Sequence, residues 1–226
     1  MSVPRDTRDM ARRRRNTIPK GRDDDIRLMA ALITSGVVSI VILAAMIISP
    51  PVKVGPDEGS FAPDFIAYGY ENNQWAQTRL TENYDERIIL VTFLDTDCPH
   101  CWDEAGELSI LHDQYKTDVQ FITIVTELKI SGHESNRDEI SAFHDKTNYD
   151  GCYSGNRNCA DRPGEAHQWM YIDDISTSIA GDWKVPGTPF NLILDSDGKV
   201  IWNQQQSGAD LNENVDQALA RLTGGN

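Results

Sequence analysis

The residues of this chain best suited to chemistry are two cysteines two positions apart, in Cys98-Pro99-His100-Cys101. A thiolate is the nucleophile of thiol–disulfide exchange, and a second cysteine one helical turn away lies within reach to close a disulfide. The pair follows an apolar run, Ile88 to Leu94, and the stop Asp95-Thr96-Asp97; Pro99 suits a first helical turn, where its missing N–H is no loss. Cys98 is thus expected at a strand-to-helix junction, where unpaired N–H groups and the helix dipole stabilise an anion. His100 adds a donor toward the Cys98 thiolate. Asp97, a carboxylate beside it, acts in the opposite direction. A more stable thiolate makes the disulfide a stronger oxidant. Glu104, one turn after Cys101, reads either as a solvated helix-start carboxylate or as a proton shuttle for Cys101.

Zinc is the competing use of two close cysteines. A structural site needs four ligands, and the second pair, Cys152 and Cys159, has six residues between its members rather than another close spacing. That pair lies in a Gly-, Asn- and Ser-rich stretch. It reads as a structural disulfide stapling a loop, the alternative being a second redox pair that relays electrons to Cys98 and Cys101. Thr188-Pro189 precedes an apolar run, so Pro189 is either a strand-start proline or a cis-proline facing the active site.

The elements that must position these residues are readable from periodicity. Ile88–Leu94 and Val119–Val125 are continuous β-branched and apolar runs, typical of strands buried on both faces. A helix from Cys98 to about Tyr115 between them makes a βαβ unit with parallel strands. A helix from Ser135 to about Thr147 is expected, with Ser135 and Asp138 resembling a capping box. Tyr149–Pro163 reads as loop, and about Glu165–Ala180 as helix. Phe190–Leu194 and Lys199–Trp202 around Asp195-Ser196-Asp197-Gly198 form a hairpin. A last helix begins at Asp210-Leu211-Asn212-Glu213 and ends near Leu222, with Gly224-Gly225 as its stop.

The net charge of −14 over 226 residues divides unevenly. Residues 1–27 carry nine basic side chains, among them Arg12 to Arg15, against five aspartates, and are expected to be a disordered basic tail. Leu28–Ser49 is 22 residues without a charge, 17 of them Ala, Val, Ile, Leu or Met. As a helix it spans roughly 33 Å, enough to cross a hydrocarbon core. It is longer than the apolar region of a cleaved signal peptide and ends in Ser49-Pro50-Pro51 rather than a small-residue cleavage site, so an uncleaved signal anchor is expected. Basic residues on its N-terminal side place residues 1–27 in the cytoplasm and the remainder outside. Residues 50–59 read as a stiff linker. Residues 50–226 hold 30 acidic and 12 basic side chains, which argues against nucleic acid as a partner.

Taken in order, four motifs resemble the thioredoxin fold: the Ile88–Phe93 strand, Cys98-Pro99-His100-Cys101, Val185-Pro186-Gly187-Thr188-Pro189, and Leu192-Ile193-Leu194-Asp195 leading to Asp197-Gly198-Lys199-Val200. More narrowly the chain is similar to membrane-anchored, extracytoplasmic thioredoxin-like proteins of the TlpA/ResA type. Ala62-Pro63-Asp64-Phe65 matches that family's lead into its first hairpin, and Cys-x-x-Cys-x-x-Glu, ending at Glu104, matches its active-site helix. The resemblance covers about residues 60–130 and 180–222, leaving about 130–180 as an insertion within a 60–226 domain. It implies an α/β fold, a central mixed sheet flanked by helices. It also implies an exposed attacking cysteine at Cys98, a resolving one at Cys101, and a cis-proline dipeptide at Thr188-Pro189 that pairs with the substrate chain.

The chain departs from the family at three positions. Asp97 stands where Trp is usual, Gly106 where proline is usual, and Thr92 where thioredoxin has a buried acid. The Pro-His dipeptide is that of the oxidase DsbA, whereas the outline is that of reductases, so the direction of electron flow stays open. The reading implied is an anchored protein thiol–disulfide oxidoreductase that needs no organic cofactor and has exported protein thiols or disulfides and a membrane redox partner as partners. The alternative is an extracytoplasmic module holding copper or zinc on Cys98, Cys101 and a histidine, although related copper-binding folds use a wider cysteine spacing. A peroxiredoxin-like peroxidase would need its reactive cysteine in a different local setting.

Overall fold

The computed structural model describes residues 20–48, 51–127, 133–210 and 212–224. Much of the expected basic tail, residues 1–19, lies outside them, as do Ser49, Pro50, residues 128–132, Leu211 and Gly225. The chain divides into two units at Pro51/Val52.

Among the described residues of the first unit there is one helix, α1 (Lys20–Ile48). Its segment Asp25–Ala45 is long and apolar enough to cross a membrane. The helix begins eight residues before the expected anchor, so residues 20–27 are helical rather than disordered. Adding a residue to an existing helix costs far less than nucleating one, and the apolar stretch supplies the nucleus.

In the second unit β1 (Ile66–Glu71) and β2 (Gln74–Arg79) form a hairpin, then come β3 (Ile88–Leu94), α2 (Pro99–Tyr115) and β4 (Val119–Thr126). Next are α3 (Arg137–Asp145), the short strand β5 (Asp150–Gly151), the single turn α4 (Cys152–Gly155) and β6 (Arg157–Asn158). After β7 (Met170–Asp174) and α5 (Ser178–Asp182), the hairpin β8 (Phe190–Leu194) and β9 (Val200–Asn203) leads to α6 (Ser207–Asp210) and α7 (Val215–Leu222). The strands β1–β4 and β7–β9 make one mixed sheet in the order β2-β1-β7-β4-β3-β8-β9. Within it β3, β4 and β7 run parallel, and β8 pairs antiparallel with β3.

Alternation along β3 accounts for its unbroken apolar run. Leu90 and Leu94 face α2, α3 and α7, packing with Ala105, Leu108, Phe143 and Leu219. Ile89, Val91 and Phe93 face the other side, against Ile124, Ile179 and Trp183. Successive side chains point to opposite faces, so a strand covered on both sides must be apolar throughout.

Several expectations require correction. Glu165–Ala180 is not a helix: it contains β7, which pairs with β4 at the centre of the sheet, so the supposed insertion supplies a core strand. On this strand Asp174 is buried, its side chain accepting the main-chain N–H groups of Ile179 and Ala180 at 2.9 and 2.8 Å. Residues 52–59 are not a linker. Phe61 N–H donates to the Lys53 carbonyl, Gly59 N–H to Val200, and the Glu58 carboxylate accepts from Asn203 and Ser207, all within the folded unit. Helix α3 is capped by Asn136, whose side chain accepts from the Glu139 N–H, while Ser135 instead donates its N–H to Glu127. Helix α7 starts at Val215 rather than near Asp210, because Asn214 and Gln217 form the capping box. The stretch Tyr149–Pro163 is loop with local order: β5 and β6 pair through Asp150 and Asn158.

Gly106, the position where the resembling family has proline, lies under the Pro163-Gly164 segment. A Cβ built there would come 2.9 Å from the Pro163 Cβ, so the close packing of this segment on α2 requires glycine.

Candidate active site

Cys98 closes the N-terminus of α2. Its Sγ accepts from the Cys101 backbone N–H at 3.4 Å, and Pro99 occupies the first turn. Across the sheet end, the Cys98 thiol donates to the Thr188 carbonyl at 3.5 Å, and the Thr188-Pro189 peptide bond is cis. Cys98 and Cys101 are both free thiols. Cys98 is 5 % exposed, so the cysteine expected at the surface is largely covered. Cys101 is fully buried and accepts the Asp95 N–H at 3.5 Å.

The two thiols differ sharply in acidity. A hydrogen bond from the Cys101 thiol, then the Cys101 N–H, Thr188 and the His100 N–H, bring the Cys98 pKa down to about 6 against the opposing effect of burial. Burial, and next the Cys98 sulfur, push Cys101 far up. A helix N-terminus beneath one sulfur and a dry interior around the other produce this split.

The support residues are placed as follows. Pro99 and His100 are exposed, and His100 acts on Cys98 through its main chain rather than its imidazole. The Asp97 carboxylate, expected to disfavour the Cys98 thiolate, instead accepts the Ser154 N–H at 2.6 Å. Glu104 is half-buried, and burial raises its pKa. It accepts from the Asn191 amide at 2.9 Å, and the Asn191 carbonyl oxygen accepts from Thr92 Oγ1 at 2.6 Å. Asn191 is the residue that motif reading missed. It lies on β8, and only the pairing Thr92↔Asn191 between β3 and β8 brings it to the site.

Cys152 and Cys159 are joined by a disulfide. The loop they close sits against the turn that presents Cys98, because Tyr153 N–H donates to the Thr96 carbonyl at 3.0 Å and Ser154 Oγ to the Asp97 carbonyl at 3.3 Å. A second group of polar side chains lies on the same side: His133 Nε2 is 2.8 Å from Glu139 Oε2 and 3.8 Å from Asp97 Oδ1. No spacing rule joins residues 97, 133 and 139.

No family model matches the chain, and neither does any curated protein. Solved structures do. A 2-Cys peroxiredoxin from Plasmodium vivax superposes with TM-score 0.52 at 18% identity, covering 74% of this chain and 80% of its own. Thioredoxin peroxidase I of Plasmodium yoelii gives TM-score 0.51 at 17% identity, covering 75% and 95%. A putative thiol:disulfide interchange protein DsbE from Chlorobium tepidum gives 0.48 at 16% identity, covering 70% and 94%. The fold is thioredoxin-like. The two peroxidase structures carry that conclusion, together with the mixed sheet and its flanking helices.

Proposed function

We propose that this protein is a membrane-anchored thiol–disulfide oxidoreductase that exchanges disulfides with exported proteins through Cys98 and Cys101. The observation that supports it most is the opposed acidity of two free thiols one helical turn apart, one at about 6 and the other raised by burial. A thiolate populated at neutral pH is a ready nucleophile, and a protonated, buried partner waits for the second step.

In the reducing direction the Cys98 thiolate attacks one sulfur of a substrate disulfide and displaces the other as a thiolate, leaving a mixed disulfide. Cys101 then gives up its proton and attacks the Cys98 sulfur, which releases the substrate as a dithiol and leaves Cys98–Cys101 oxidised. Glu104 is the proton acceptor we assign to that step, held by Asn191. A membrane redox partner restores the dithiol, and the same steps in reverse oxidise a substrate. In this reading the substrate main chain docks at the Thr188 carbonyl beside Cys98, next to a hollow of about 290 Å³ lined by Glu127, Lys184, Pro186, Gly187 and Thr188.

The anchor is α1. Basic residues precede its apolar segment, which supports a cytoplasmic N-terminus and an extracytoplasmic catalytic unit. The Cys152–Cys159 bond fits an oxidising compartment, where it acts as a structural staple.

The test is insulin reduction and reoxidation of reduced ribonuclease by the full chain in detergent. Turnover in either assay, lost in Cys98→Ser and stalled as a mixed disulfide in Cys101→Ser, is the expected result. Absence of turnover in both, or full turnover in Cys98→Ser, overturns the proposal. Consumption of hydrogen peroxide without exchange on either protein would move the assignment to a peroxidase.

A further inference from the structure

Asp97, His133 and Glu139 come from three separate places: the turn before α2, the segment before α3, and α3 itself. One donor atom of each lies within 4.8 Å of the other two. Both carboxylates belong to side chains with no solvent exposure, and each has one oxygen, Asp97 Oδ2 and Glu139 Oε1, without a hydrogen-bond partner. The Glu127 carboxylate is close enough to add its negative charge. Among the described residues, the only basic side chain acting on Asp97 or Glu139 is His133.

Such an arrangement is out of electrostatic balance. Removing a carboxylate from water costs several kcal/mol unless it is paired, and an orphaned buried oxygen adds to that cost. Two buried carboxylates, Asp97 and Glu139, face one imidazole. A divalent cation supplies the missing charge.

We propose that Asp97, His133 and Glu139 form a binding site for a divalent first-row transition cation, with Zn²⁺ the preferred ion. The donor set, one imidazole nitrogen and two carboxylate oxygens, suits zinc with a further position left for water. Tetrahedral ligands about 2.1 Å from zinc are roughly 3.4 Å apart, so the 2.8 Å His133–Glu139 contact must open and the 3.8 Å His133–Asp97 separation must close, each by about half an ångström. The site uses neither Cys98 nor Cys101, and it stands whether or not those thiols exchange disulfides.

The experiment uses the full chain in detergent carrying Cys98→Ser and Cys101→Ser, so that thiolates cannot take the metal. Zinc chloride is titrated by calorimetry, and melting is followed by circular dichroism with and without the ion. One zinc per chain and a rise in melting temperature are expected, with affinity falling about 100-fold in His133→Gln and in Glu139→Gln. His133 is partly exposed, and Asp97→Asn preserves shape, so these two keep the test valid if Glu139→Gln fails to fold. No saturable zinc binding overturns the proposal. So does binding that survives unchanged in His133→Gln and Asp97→Asn, which would place the ion elsewhere. A melting temperature that rises in Glu139→Gln and does not respond to zinc would show that protons, and not a metal, neutralise the cluster.

Discussion

The Cys101 main-chain N–H points at Cys98 Sγ from 3.4 Å, one helical turn inside α2. That contact, with the Cys101 thiol, stabilises the thiolate of one cysteine while burial keeps the other protonated. Alkylation of the reduced protein by iodoacetamide is expected to rise through a single titration centred near pH 6, with Cys98 modified and Cys101 protected. Thiols of about 7 belong to thioredoxin, at about −270 mV, and one pKa unit is equivalent to about 30 mV. The Cys98–Cys101 pair is therefore expected at about −240 mV in a glutathione titration. A midpoint near 8.5 in the alkylation profile would remove the basis for the assignment.

Glu104 and Asn191 predict a second result. Burial raises the Glu104 pKa, which makes its carboxylate a better proton acceptor than an exposed one. Glu104→Gln should slow the resolution of a Cys98 mixed disulfide about 100-fold in single-turnover experiments. The first attack, monitored by alkylation, should stay within about twofold of wild type. The same substitution is expected to raise stability at neutral pH: a buried acid with a raised folded-state pKa opposes folding increasingly as pH climbs from its unfolded value of about 4.3 to its folded one, and by a constant amount beyond that. A mutant equally fast in both steps would leave Glu104 as a structural residue.

Cys152–Cys159 closes a short loop, and its removal as Cys152→Ala/Cys159→Ala should cost about 2–3 kcal/mol, or a melting temperature lower by about 5–10 °C. Exchange activity at 25 °C is expected to be retained. A folded double mutant that has lost exchange would make this pair an electron relay.

Arg162 is 1 % exposed and donates to the carbonyls of Phe143, His144, Pro163 and Glu165. It ties the end of α3 to the Pro163-Gly164 segment that covers α2. Arg162→Met should lower unfolding free energy by about 3 kcal/mol in urea, because the carbonyls lose their donors while the volume is kept. A loss under about 0.5 kcal/mol would mean that water replaces the guanidinium.

His167 is fully buried; its Nε2 donates to the Ala105 carbonyl at 3.0 Å and its Nδ1 accepts from Tyr171. Burial, followed by the Arg162 charge, holds its pKa well below the ordinary value. The unfolded chain takes up that proton near pH 6.5 and the folded one does not. The His167 contribution is thus complete above about pH 6.5 and declines as pH falls, by up to about 1.4 kcal/mol per unit. Urea unfolding between pH 5 and 7 should show this slope, and His167→Gln should flatten it.

Reading the sequence succeeded where information is local. Ile88–Leu94 needs no partner to be recognised, and Cys98, Pro99 and Cys101 declare a helix start within four residues. It failed where a polar side chain is satisfied from afar. The stretch around β7 read as helix; in the sheet the Asp174 carboxylate is instead satisfied by main-chain donors of α5. Residues 52–59 looked like a linker because nothing in Val-Lys-Val-Gly-Pro-Asp-Glu-Gly names Asn203 or Ser207 as partners for Glu58.

By itself the sequence determined the apolar helix, the βαβ unit, the closing hairpin and the place of the cysteine pair at a helix start, because each is set by periodicity or by contacts within one helical turn. Tertiary structure alone decided what surrounds that pair: the Thr188 carbonyl, 90 residues from Cys98, the Thr92–Asn191 bond across 99 residues, and the grouping of Asp97, His133 and Glu139. Those contacts depend on which strands pair and in what register, and strand pairing is settled by burial of the whole sheet rather than by any residue's neighbours in the chain.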